Sequence, residues 1–198
     1  MNFENIIYEK QNGVATITLN RPQALNALTP QMNGELQQAL KDADEDKSVR
    51  CLLLALACDL RVASEEAKFI QAFARVGLAP DCGGSIILPR LVGLSKAMEL
   101  LLLAEPVDAR EALRIGLVAK VVPADELPRA ARAMAETVAR GPRSIGLIKR
   151  AVNRAILPEL EAQLEYEAYL QEIAGRSADF DEGVRAFLEK RAPVFTGK

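Results

Sequence analysis

A strand, a helix and a second strand follow one another within the first 54 residues, and that order leaves few ways to fold. VATITL at 14–19 alternates small or apolar residues with polar ones, as a half-buried strand does. Residues 5–10 are its expected hairpin partner across Gln11, Asn12 and Gly13, and Asn20, Arg21 and Pro22 end the strand. Thr29 reads as a helix N-cap with Pro30 in the first helical position, and Met32, Leu36, Ala39, Leu40 and Ala43 make an apolar stripe. Residues 49–54 then read as a buried strand. Two strands joined by a helical crossover form a βαβ unit, so the expected fold class is α/β with a parallel sheet.

The second half is of another kind. After an apolar stretch without a clear period at 52–60 and a short strand at 68–70, residues 76–85 are rich in turn formers, and a helix carrying Ile86, Ile87 and Leu88 follows. Beyond Leu94 nearly everything reads as helix. One spans 96–104 with Ser95 as its cap. Another is opened by Asp108 with Glu111 in capping-box spacing and stopped at Gly116. A short strand at 117–122 precedes helices over 127–140, 144–156, 159–174 and 180–190. The chain therefore divides into an α/β core, 1–122, and a helical lobe, 123–198.

Composition narrows the chemistry. With 198 residues, 49% hydrophobic and 26% charged, the chain is long enough to bury a core. A net charge of −2 gives no electrostatic reason to expect nucleic acid or an anionic membrane as partner. The longest apolar runs, 51–58 and 100–104, are too short to span a bilayer, and the first ten residues lack the basic start and apolar stretch of a signal peptide. Three cysteines without close pairs argue against a disulfide framework and for a cytoplasmic setting. There is no histidine, which removes Ser-His-Asp and Cys-His nucleophile systems, HExxH zinc sites and any imidazole relay. Proton transfer must then rest on carboxylates, lysine, tyrosine, cysteine or backbone dipoles, and no metal centre is expected.

Four segments, in order, carry a specific resemblance: ITLNRPQALNAL at 17–28, ACDLRVAS at 57–64, EALRIGLV at 111–118 and EGVRAFLEKR at 182–191. Together they resemble the enoyl-CoA hydratase/isomerase (crotonase) superfamily over almost the whole chain. GLAPDCGGS at 77–85 followed by LPRLVGL at 88–94 is most similar to the branch that isomerises ring-epoxide and enoyl-CoA thioesters in phenylacetate breakdown. The resemblance implies a crotonase-like ββα spiral core with a helical C-terminal lobe, a homotrimer or hexamer, an acyl-CoA substrate, and no cofactor besides that thioester. In the branch, the aspartate after GLxP is the proton-transfer residue, here Asp81.

One departure stands out. In the family, a long stretch with a CAGxD loop and a glycine-rich turn separates the strand resembling 49–54 from the helix resembling 55–59, and two backbone N–H groups of that stretch form the oxyanion hole. Here Leu54 runs straight into Ala55. A strand meeting mid-helix with no turn residue predicts a break in the chain at this point rather than a peptide bond. If the join is covalent, a CoA-binding or oligomerising scaffold becomes the alternative function.

Moving a double bond in an enoyl-CoA means removing a proton beside the conjugated system, while negative charge collects on the thioester oxygen. Two N–H donors stabilise that charge, and one carboxylate carries the proton from one carbon to another; neither histidine nor metal is needed. Hydratases of the family use two glutamates. Aligned through Lys68, Phe69, Cys58 and Asp59, one falls on Phe73 and the other at Leu53–Leu54, so the resemblance implies an isomerase, with hydratase as the alternative. It places the pocket at Phe73, Leu78, Pro80, Gly83 and Gly84, and CoA contacts at Gln23, Ala24, Leu25, Phe187 and Lys190. The residues themselves also permit plainer readings. Pro-Asp before Gly-Gly is good turn or helix-cap chemistry, Cys82 suits packing, and Lys190 with Arg191 suits a solvated helix end. The glycines could equally open a helix whose first amides approach a thioester.

Overall fold

The computed structural model describes residues 3–24, 26, 28–46, 48, 51–54, 59–157 and 159–197. Its contacts group into two compact units, Met1–Ser64 with Ala119–Ile148, and Glu65–Val118 with Lys149–Lys198. The sequence passes from Leu54 directly into Ala55, without the stretch that the resemblance places there, and the join itself lies outside the described residues.

In the first unit, β1 (Ile6–Gln11) and β2 (Val14–Leu19) form the expected hairpin, with Gln11 opposite Val14 and Tyr8 opposite Ile17. The loop is only Asn12 and Gly13, both left-handed (φ 54° and 76°), the conformation that matches strand twist in a two-residue hairpin. Helix α1 (Pro30–Glu45) starts as expected, the Thr29 hydroxyl accepting from the Met32 amide at 3.2 Å. It leads to β3 (Cys51–Leu54), which pairs parallel with β2, Val14 opposite Cys51. The βαβ unit is therefore present. Ile6, Ile17, Met32 and Ala39 close its core, with Leu36 half-buried against it and Leu40 facing solvent.

Glu35 is buried on the same helix and was not expected there. It accepts from the amides of Glu4 (3.2 Å) and Asn5 (2.9 Å) and from the Asn5 side chain (3.0 Å). Lost solvent works to raise its carboxyl, but the bonds from Asn5, Glu4 and Ile6 outweigh it and hold the group below the usual range. Later in this unit β4 (Val62–Ser64) pairs parallel with β7 (Lys120–Val122), and α5 (Leu127–Arg140) packs Ala135 and Ala139 on Val14.

The second unit is mainly helical. Strand β5 (Lys68–Phe69) pairs antiparallel with β6 (Val107–Asp108). A 3-10 turn, Ala72–Val76, leads through the turn-rich segment into α2 (Gly84–Val92), then α3 (Leu94–Leu103) and α4 (Ala109–Arg114). The Asp108 cap on α4 is as expected, its carboxylate accepting from the Glu111 amide at 2.8 Å. Ser95 is not a cap: α3 begins two residues earlier than expected, at Leu94 with Gly93 in the cap position and no side-chain cap bond. The strand expected over 117–122 shortens to β7, because the amides of Leu117 and Val118 bond back to the Ala112 carbonyl and close α4 instead. Helix α6 (Ser144–Ile156) enters this unit at Lys149, and α7 (Leu160–Gly175) and α8 (Ala178–Glu189) complete it. Among the described residues no helix is long and apolar enough to cross a membrane.

Candidate active site

The segment 73–85 carries most of the expected pocket, and two close approaches explain its glycines. A Cβ on Gly77 would stand 3.0 Å from the backbone of Asp179 and Phe180, and one on Gly183 would stand 2.7–2.9 Å from the backbone of Val76. The start of the GLxP motif and the glycine of EGVRAF therefore meet, backbone to backbone, and only side chains of zero length let α8 lie this close. The Leu78 amide bonds the Phe73 carbonyl at 3.0 Å. Phe73, Leu78 and Pro80 are each half-buried, and Pro80 lies under Gly84, its Cβ 3.5 Å from where a side chain there would begin.

Asp81 then opens a tight turn. Its carbonyl accepts from the Gly84 amide at 2.8 Å, while Cys82 and Gly83 between them are both left-handed (φ 52° and 79°). A cysteine in that region is strained, by about 1–3 kcal/mol, which the surrounding contacts must offset. The turn reading of Pro-Asp-Cys-Gly-Gly is thus correct as local structure. It does not exhaust Asp81. The carboxylate is half-buried and accepts from the Gln171 side-chain amide at 3.1 Å. Cys82 is exposed rather than packed, and its thiol is pushed up, by partial desolvation first and then by the neighbouring Asp81 carboxylate, which disfavours the nucleophilic thiolate.

The N-terminus of α2 is occupied from within the chain. Glu167 on α7, 2% exposed, accepts from the Gly83 amide at 2.7 Å, the Ser85 amide at 3.0 Å and the Ser85 hydroxyl. Gln163 donates to the same hydroxyl at 2.7 Å. This corrects the expectation that the α2 amides approach a thioester: those of Gly83 and Ser85 hold Glu167, and that of Gly84 holds the Asp81 carbonyl. Gln163, Glu167 and Gln171 recur every four residues and so form one polar row along α7. Glu161, Glu165 and Glu172 make the row only part of the helix's polar surface, and a reading of its leucines and tyrosines passed over it. Tyr166 and Tyr169 are exposed and stack on each other, centroids 6.3 Å apart.

The other expected contacts fall outside this segment of the sequence. Gln23 is exposed and Ala24 half-buried on a short 3-10 turn, Pro22–Ala24, of the first unit, while Leu25 is outside the described residues. That turn is closed by Asn26, whose side chain accepts from the Arg21 amide at 2.8 Å. In the second unit, Phe187 is 71% exposed and Lys190 is the exposed, left-handed C-cap of α8. The neighbouring Arg191 grips Glu182 through both carboxylate oxygens, at 2.5 and 3.0 Å, and Glu189 at 2.6 Å. Two cavities of the second unit are lined elsewhere. The larger, about 230 Å³, is bordered by Lys96, Glu99, Glu105, Asp108 and Glu111, and the smaller, about 10 Å³, lies among Phe69, Leu88 and Leu100.

The chain belongs to the enoyl-CoA hydratase/isomerase family, whose profile matches residues 9–55 and 51–198. It is 34% identical to the 1,2-epoxyphenylacetyl-CoA isomerase of Escherichia coli K12 over 260 residues, covering 98% of this chain and 99% of that protein. It is 36% identical to a probable enoyl-CoA hydratase of Rhodobacter capsulatus over 257 residues, covering all of both. A crystal structure of an enoyl-CoA hydratase/isomerase from Pseudoalteromonas atlantica T6c superposes with a TM-score of 0.91 at 29% identity, over 98% of this chain and 100% of the other. The crotonase-like fold is thereby established. An alignment of 260 residues against a chain of 198 leaves at least 62 positions facing nothing here, and the family match divides at residues 51–55, where the sequence passes from Leu54 to Ala55.

Proposed function

We propose that this chain acts on acyl-CoA thioesters as an isomerase, shifting a Δ3 double bond to Δ2 or rearranging a ring-epoxide thioester, with Asp81 as the carboxylate that carries the proton. The observation that carries this reading is the state of Asp81: half-buried and held by a neutral amide rather than a cation. In the reaction the substrate C–H bond breaks, its electron pair passes into the thioester enolate, and the proton rests on Asp81 until it is returned to another carbon. The segment around Asp81 also resembles the branch that includes a relative named for epoxide isomerisation. Hydration would need a second acid, and the position where the resemblance expects one holds Phe73.

A second reading is favoured by the engaged amides of Gly83 and Ser85 together with the missing oxyanion stretch: a member that binds acyl-CoA, or oligomerises, without turnover. The test is one set of measurements on the full chain and on Asp81→Asn. Conjugation of a 3-enoyl-CoA is followed by ultraviolet absorbance and CoA affinity by calorimetry. Loss of turnover at unchanged affinity supports Asp81 as acid and base, whereas equal turnover in both proteins removes it from the mechanism. Binding without turnover in either protein establishes the second reading.

A further inference from the structure

We propose that Gln171 is a positioning residue for Asp81, and that its side-chain amide turns over with the aspartate's protonation state: Nε2 donates to the carboxylate, and Oε1 accepts from the carboxylic acid. This rests on the reading of Asp81 as proton carrier, and it goes beyond that reading by naming what holds the acid in both of its forms.

Three observations converge on it. First, Gln171 Nε2 lies 3.1 Å from Asp81 Oδ2, the arrangement that suits an ionised carboxylate, which accepts only. Second, the other end of the same amide, Oε1, is shut off from solvent and has no hydrogen-bond partner among the described residues. A buried carbonyl oxygen left unmet costs about 1–3 kcal/mol, and such atoms are rare enough in folded proteins to require a reason. Here the orphan is the acceptor that a protonated Asp81 would need. The terminal torsion of glutamine is broad and nearly two-fold, so a half turn exchanges oxygen for nitrogen with almost no change of shape.

Third, the pivot of that half turn is fixed. One helical turn before Gln171, Glu167 holds the Gly83 and Ser85 amides, and one turn before that Gln163 donates to the Ser85 hydroxyl. The row ties α7 to the turn at three successive levels, so the Gln171 side chain can rotate without leaving Asp81. Two titratable groups bear on the pair. The Cys82 thiol is Asp81's neighbour within the turn, and the Glu167 carboxylate on α7 is anchored by the α2 amides. Neither supplies the acceptor that a protonated Asp81 needs: Glu167 is engaged by three donors, and the sulfur of Cys82 is a weak acceptor.

The experiment is solution NMR on the full chain labelled with 13C and 15N, following the Gln171 side-chain NH2 pair and the Asp81 carboxyl carbon together as the pH is lowered. The expected result is a common step, with the Gln171 protons leaving their hydrogen-bonded shift as the Asp81 carbon moves. Gln171 signals that stay unchanged while Asp81 titrates overturn the proposal. Gln171→Leu keeps the bulk and removes both polar ends. It is expected to lower kcat about tenfold or more while KM stays within about twofold, since positioning rather than binding is lost. A KM rise at unchanged kcat overturns the proposal as well. Should Asp81→Asn retain full turnover while Gln171 still follows Asp81, the amide coupling stands and the acid–base reading alone falls.

Discussion

Replacing Glu167 by glutamine tests whether the α7 row holds the Asp81 turn in place. The carboxylate is 2% exposed and meets the Gly83 amide at 2.7 Å, the Ser85 amide at 3.0 Å and the Ser85 hydroxyl. Glutamine keeps the shape but turns one acceptor into an NH2 group, so a backbone N–H at the start of α2 faces another donor. A hydrogen bond to a charged group contributes about 1.5–3 kcal/mol, and a buried donor left unmet costs about 1–3 kcal/mol. Loss of the anion from the positive end of α2 adds about 0.3–1 kcal/mol. These overlap, and because Gly83 is buried while Ser85 is only partly so, we expect about 3 kcal/mol of destabilisation in all. Urea unfolding followed by circular dichroism is the assay, the chain having no tryptophan. The midpoint should fall with the slope unchanged. A Glu167→Gln protein within about 0.5 kcal/mol of the parent would refute the reasoning, since a surface substitution does no more.

Other consequences are as concrete. Gly183→Ala places a methyl 2.7 Å from the backbone of Val76, where no flexible side chain can give way, so α8 must shift and stability should fall by about 1–3 kcal/mol in the same assay. Unchanged stability would show that α8 rides freely over the GLxP segment. Glu182 gives the acid limb: the Arg191 guanidinium first, then the Val194 amide, holds its carboxyl down to about 2, against 4.5 for the free group. Its folded value is the lower one, so its stabilisation is complete above about pH 4.5 and is lost as the pH falls from there towards 2. Acid unfolding of Glu182→Gln should therefore be less steep across that window than the parent's, and superposable curves would count against the assignment.

Much of the scaffold was legible because it is encoded locally. Asn12-Gly13 between alternating strands, Thr29-Pro30 before an apolar stripe, and Asp108 three residues ahead of Glu111 each state their own geometry within a few residues. Two buried carboxylates were not legible in this way. Glu35 answers to Asn5, thirty residues away, and Glu167 to Gly83 and Ser85, more than eighty away; on a helical wheel both are ordinary polar positions. The start of α3 was misjudged for a related reason. Ser95 is the better capping side chain, but Gly93 takes the backbone conformation that begins the helix, and helix entry follows the backbone. At the candidate site, the resemblance proposes Asp81, while what surrounds that residue is set by the packing of α7 and α8, which no spacing in the 77–85 motif reveals.

That packing bears on how the two proposed readings divide. Among the described residues, the contacts that frame Asp81 come from beyond the Leu54–Ala55 join: Gln171 and Glu167 on α7, and the α8 backbone against Val76 and Gly77. Absence of the stretch in which the resemblance expects the oxyanion donors therefore leaves this frame standing. The stretch matters for a different quantity. Each donor of an oxyanion hole is worth about 2.7–4 kcal/mol to the transition state, so two together amount to about 5–8 kcal/mol, a factor of roughly 10⁴–10⁶ in rate. The α2 amides cannot take over, since Gly83 and Ser85 already hold Glu167. An acid in place without its oxyanion partners can lend itself to binding and to slow proton exchange long before it supports a rate like that of an intact relative. For that reason affinity and turnover must be read together on Asp81→Asn: a slow parent whose residual rate vanishes at unchanged affinity is still an isomerase, and a silent parent that binds is not.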